Sequence, residues 1–196
     1  PGNMGYLLED GNLLRGARIA GLGGFAAPGT GGVGLLQEFD WDGNLLWEFE
    51  YNTAEVRFHH DVAPPPNGNV LMIAWEAKTD VEAIQAGRNP GLLWEEAVWP
   101  EHIIEVEPTL PTGGNIVWEW HVWDHLIQDF DKTKDTYGDV ADNPGKIDPK
   151  GPGRRANAFW NHLNSIDHNA HLDQIVLRLR ANSETGTTGP GIPPAH

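Results

Sequence analysis

The chain has 196 residues, carries 28 acidic against 13 basic side chains for a formal charge of −15, and contains no cysteine. Such a surface repels phosphate backbones and anionic membranes at long range, so nucleic acid is excluded as a partner. Disulfides and thiolate metal sites are excluded with the cysteines, and no run of 18 apolar residues offers a membrane-spanning helix. The 24 Gly, 15 Pro and 9 Trp, with 39% hydrophobic residues, describe many short strands and turns, hence an all-β chain. The opening Pro1-Gly2-Asn3-Met4 has neither the charged nor the apolar region of a secretory leader, which reads as a mature chain or one lacking its start.

Taken in chain order, four turn-plus-strand units recur. They are Asp10-Gly11-Asn12-Leu13-Leu14, Asp42-Gly43-Asn44-Leu45-Leu46, Asn67-Gly68-Asn69-Val70-Leu71 and Gly113-Gly114-Asn115-Ile116-Val117. Each supplies the positive φ angles that a tight turn between twisted strands requires. Strands are expected near 5–9, 11–16, 35–40 and 43–50, then 60–65, 69–76, 102–107 and 114–121, and finally 162–168 and 173–180. A longer repeat lies above the hairpins. Trp47-Glu48-Phe49 returns as Trp118-Glu119-Trp120, and His60-Asp61-Val62 before an apolar strand returns as His162-Leu163-Asn164. The two shifts differ by an insertion, residues 122–159, rich in Asp, Lys, Pro and Gly.

Repeated units of four short strands are the signature of β-propeller blades. Residues 1–184 are therefore expected to form a partial β-propeller of about two and a half four-stranded blades, and residues 185–196 a Gly/Pro/Thr-rich tail outside it. Unclosed blades leave bare edges, so the chain is expected to be part of a longer polypeptide or to be completed by other chains. A small β-sandwich is the alternative. In the repeat His60 and His162 each open an innermost, channel-lining strand. His59, one residue away, is expected on the opposite face, packed or at the surface. Trp47, Trp118 and Trp120 are expected near blade rims, with one or two tryptophans lining an aromatic pocket.

The stretches Gly34-Leu35-Leu36-Gln37-Glu38-Phe39-Asp40-Trp41-Asp42-Gly43-Asn44, Phe58-His59-His60-Asp61, Val117-Trp118-Glu119-Trp120-His121 and His162-Leu163-Asn164-Ser165-Ile166-Asp167, in this order, resemble the bacterial arylsulfotransferase family. The resemblance implies a six-bladed propeller, secreted or periplasmic, that moves a sulfuryl group from a small aromatic sulfate donor to a phenolic acceptor through a covalent sulfohistidine. It also implies that His60, His162 and Arg180 face the central channel and grip the sulfuryl group. A guanidinium such as that of Arg180 would offer a planar fork of donors to an oxyanion. The family's nucleophilic histidine belongs to a later blade and corresponds to no residue of this chain. His196, in the tail, does not take its role.

No cofactor is expected. Asp129, Asp131, Asp135, Asp139 and Asp142 invite a calcium reading, but they lack the EF-hand order of ligands, and a solvated loop is preferred. His121 and His125 flank Trp123, where a loop anchored by aromatic packing is preferred to a metal site. A homo-oligomer or larger assembly stays open. The rival function is a non-catalytic propeller used for binding, assembly or adhesion. A quinone-dependent dehydrogenase would need tryptophan-docking repeats and metal ligands, and neither is present.

Overall fold

The computed structural model describes residues 4–19, 33–93, 97–150 and 162–179. Strands β1 (Gly5–Leu7), β2 (Leu13–Arg18), β3 (Gly34–Phe39) and β4 (Leu45–Glu50) form one antiparallel four-stranded meander. Strands β5 (Val56–Ala63), β6 (Val70–Glu76), β9 (Glu101–Pro108) and β10 (Gly114–His121) form a second, and β11 (Leu163–Asn169) with β12 (Gln174–Leu179) a hairpin. Between β6 and β9 the chain also makes β7 (Lys78–Thr79), the short helix α1 (Asp80–Gln85), a 3-10 turn (Pro90–Leu92) and β8 (Ala97–Val98). The all-β expectation and the hairpin positions hold. Among the described residues the sheets do not close into a barrel or a complete ring.

The second sheet is the middle layer. Phe58, Val62, Met72, Ile104 and Val106 face the first sheet with Leu14, Leu36 and Trp47, while Ala63, Leu71, Ile73 and Ile103 face the hairpin residues Leu163, Ile166 and Ile175. Successive side chains of a strand alternate between faces, so a strand buried on both sides must be apolar at every position. Strand β6 is such a strand: Val70-Leu71-Met72-Ile73-Ala74-Trp75 is buried throughout. Trp47, expected at a rim, lies instead in the core, because it shares its face with Phe49 and its indole N–H donates to the Gly113 carbonyl at 2.8 Å. Trp118 and Trp120 are half-buried against the hairpin.

Two inserted segments lean on one another. Val122 and Leu126, after β10, pack with Ala83 of α1 and Val98 of β8. Arg88 donates to the carbonyls of Pro149 and Leu92, and Thr136 donates to that of Ala86. The expected insertion is thus only half of the feature, the other half being residues 77–100. Nor is its described part, 122–150, simply a solvated loop. Gln128 is fully buried, accepts from the amides of Phe130 and Asp131 and donates to the Asp131 carbonyl, which folds the segment around one side chain. Asp131 and Asp139 accept from nearby loop amides, and Asp129 pairs with Lys150.

Candidate active site

Strand β5 carries the site because it is irregular. Phe58 pairs with Ala74 and Val62 with Met72, so His59, His60 and Asp61 stand opposite Ile73 alone. A bulge re-aims side chains that ordinary alternation would send to opposite faces. His60 has a φ of 54°, a left-handed conformation that costs a non-glycine residue about 1–3 kcal/mol and concentrates at functional sites. His59 is packed, being fully buried, but the expectation that it points away from His60 is corrected: its Nδ1 lies 2.8 Å from Nδ1 of His60. His60 lies within β5 rather than opening it, while His162 immediately precedes β11.

The contacts form a chain of four side chains. His162 Nε2 lies 3.2 Å from His60 Nε2, His60 Nδ1 meets His59 Nδ1, and His59 Nε2 lies 2.6 Å from Glu101 Oε2. Glu101 Oε1 accepts from the Trp75 indole N–H at 3.0 Å and from the Leu163 amide at 2.9 Å. Trp75 also stacks on the His59 ring, with centroids 3.8 Å apart and planes 12° from parallel. The two residues that the repeat singled out therefore meet, although 102 positions separate them. Arg180 lies outside the described residues, as does the tail from 185 onward.

A neutral imidazole offers one donor and one acceptor nitrogen. With Glu101 ionised, His59 Nε2–H donates to the carboxylate, His59 Nδ1 accepts from His60 Nδ1–H and His60 Nε2 accepts from His162 Nε2–H; with Glu101 protonated, each donor reverses. Burial pushes the His59 imidazole well below its ordinary range, with the nearby Arg57 charge adding to the effect. Burial also pushes the Glu101 carboxyl up, against the opposing pull of Leu163, His162 and Trp75. Both shifts disfavour a lone charge in this interior.

Asp61, next to His60, ties three strands. It accepts the Tyr6 hydroxyl of β1 at 2.5 Å and the Ile166 amide of β11 at 3.1 Å. Burial, then the Asp61 hydrogen bond, raises the Tyr6 phenol. A pocket of about 420 Å³ opens beside His60, lined also by Met4, Gly5, Tyr6, Asp61 and Asn164.

The arylsulfotransferase (ASST) family model matches residues 8–184. The chain belongs to the arylsulfotransferase family. Among curated proteins, none matches it. The family match covers β2 to β12, and the histidine chain lies within it.

Sequence reasoning passed over Glu101 and Trp75. The available signal at Glu101 was its parity with Ile103, a buried residue of β9 two positions on, since a carboxylate on a buried face needs partners. A second polar cluster, on the face towards the first sheet, joins Tyr51 to His102 at 3.0 Å, stacks His102 on His121 at 4.9 Å, and pairs His121 with Glu76 at 3.1 Å. His125 stacks on Trp120 at 4.8 Å. Among the described residues no three His, Asp or Glu side chains converge as a metal set.

Proposed function

We propose that this arylsulfotransferase-family chain contributes about two and a half blades to a six-bladed propeller and takes part in sulfuryl transfer from a phenolic sulfate ester to a phenol, without a nucleotide donor or other cofactor. His60, His162 and Arg180 grip the sulfuryl oxygens and stabilise the charge that develops as the S–O bond breaks. The sulfuryl group is carried between donor and acceptor on a histidine that corresponds to no residue of this chain. The protein works in a secreted or periplasmic setting, where aromatic sulfates and phenols reach it from solution.

What supports this is the hydrogen-bonded contact of His162 with His60, which lines an open pocket, within a domain of the family. Sulfuryl transfer leaves a phenolate that must be protonated and consumes a phenol that must be deprotonated. Imidazoles change charge near neutral pH and suit both tasks. The full-length polypeptide is incubated with 4-nitrophenyl sulfate and phenol while nitrophenolate is followed. The expected result is release that falls by ~10²-fold or more in His162→Ala. Absence of release, or release indifferent to His162→Ala, counts against transfer and in favour of a binding or assembly role.

A further inference from the structure

Resting on that reading of the reaction, we propose that Glu101 is a positioning residue: acting through His59, it fixes which nitrogen of His60 carries the proton and so readies the His60–His162 pair to exchange protons with the phenolic oxygens. Nothing in the proposed grip on the sulfuryl group requires a carboxylate two imidazoles away. Yet Glu101 is fully buried, and its oxygens are held by three partners, the Trp75 indole, the Leu163 amide and His59. The Trp75 indole and the Leu163 amide can only donate. They hold Oε1 as an acceptor and turn Oε2 towards His59. The stacked Trp75 ring sets the plane of the His59 imidazole, so its two nitrogens can point only along the line from Glu101 to His60.

The arrangement extends the logic of a carboxylate that orients a histidine base by one further imidazole. In the donor half of the reaction, which starts with the His60–His162 pair carrying one extra proton, the S–O bond to the leaving group breaks as the bond to the nucleophilic histidine forms, and the leaving phenolate oxygen takes that proton and leaves the pair neutral. In the acceptor half the phenol's oxygen forms a new S–O bond, the S–N bond breaks, and the phenol's proton returns to the pair. The proton count closes over the cycle with no outside reagent. While the pair holds the extra proton, His60 can share its positive charge with His59 and, through it, with Glu101.

Glu101→Gln tests this. The amide keeps the size of the side chain and can keep Oε1 as acceptor for Trp75 and Leu163, but it presents N–H₂ where Oε2 stood. His59 Nε2 must then accept, His59 Nδ1 must carry the proton, and His60 flips from Nδ1–H to Nε2–H. Nitrogen-15 NMR of the imidazoles in the full-length protein should show His60 protonated on Nδ1 in wild type and on Nε2 in E101Q. The rate constant kcat should fall ~10²-fold with KM for 4-nitrophenyl sulfate within about threefold. Glu101→Asp should recover part of kcat.

An unchanged His60 tautomer in E101Q, or kcat within threefold of wild type, overturns the proposal. If E101Q does not fold, the wild-type spectrum alone decides: a proton on His60 Nε2 overturns the proposal, and one on Nδ1 supports it. The tautomer is read without turnover. A wild-type protein that shows the expected tautomers yet releases no nitrophenolate therefore counts against the transfer reaction while leaving the positioning role standing.

Discussion

His59 and His60 are consecutive residues of one strand, yet their rings meet edge to face, 85° apart, with Nδ1 2.8 Å from Nδ1. Regular β geometry forbids this contact. It exists because three residues of β5 face one of β6 and because His60 takes a left-handed φ. The strain at His60 is offset by a hydrogen-bonded chain that runs from the open pocket to a buried carboxylate.

His59→Phe keeps a flat ring on Trp75 but removes both ring nitrogens. Glu101 Oε2 is then buried without a donor, a loss of about 1–3 kcal/mol. Urea unfolding should report this drop, and kcat for 4-nitrophenyl sulfate should fall together with it, whereas a histidine that merely packed would tolerate phenylalanine in both measurements.

His60 and His162 should behave as one unit. Each alanine substitution is expected to lower kcat by ~10²–10⁴-fold. The double variant should be scarcely slower than the worse single, as groups that act together are strongly non-additive. Multiplicative losses in a double-mutant cycle would separate the two residues.

Acid should destabilise the fold from near pH 6.5 downward. Burial pushes His102 down to about 3 from an ordinary 6.5, so between these values the unfolded chain binds a proton that the native state refuses. Stability then falls as pH falls, by about 1.4 kcal/mol per unit for each such group. His59, also depressed by burial, acts in the same sense. His121 and Glu101 act oppositely: the Glu76 hydrogen bond raises His121 and burial raises the Glu101 carboxyl, so their contributions are present at low pH and lost as pH rises through the raised values. Urea midpoints at about pH 5 and pH 7.5 should show the net loss, and His102→Phe should flatten the slope by about one proton.

Gly87 has a φ of +89°, and a Cβ there would stand 2.5 Å from Cγ of the buried Gln128. Gly87→Ala should therefore unseat the contact between the two inserted segments, at a cost of roughly 1–3 kcal/mol. Limited proteolysis should show faster cleavage within residues 126–150, with the histidine tautomers unchanged.

The strands were legible because turn signals and a period of two recur together, and every expected strand is present. The long repeat singled out His60 and His162, which do meet, although His60 lies within β5 and His162 just before β11 instead of each opening a strand. The side-chain directions at β5 were not legible, since a bulge leaves no mark in an alternation pattern, and assuming regular geometry put His59 and His60 on opposite faces. Trp47 was misplaced for a related reason: near-rim positions and core positions share the same spacing, and only its common face with Phe49 distinguishes them. The segment from Lys78 to Val98 carries little periodicity of its own, and its folding depends on contacts with residues 122–150 that are distant in sequence. Glu101 was hidden by its context, an acidic residue at the start of a strand that looked like any solvated turn flank.

Strand β11 is fastened to the middle sheet by two carboxylates, Glu101 at the Leu163 amide and Asp61 at the Ile166 amide. A hairpin that slid by one residue would present neither amide to its carboxylate, and it would also carry His162 away from His60. Under the proposed reaction, a molecule with the hairpin misdocked would be silent rather than promiscuous, and turnover would itself report that the layers have seated correctly.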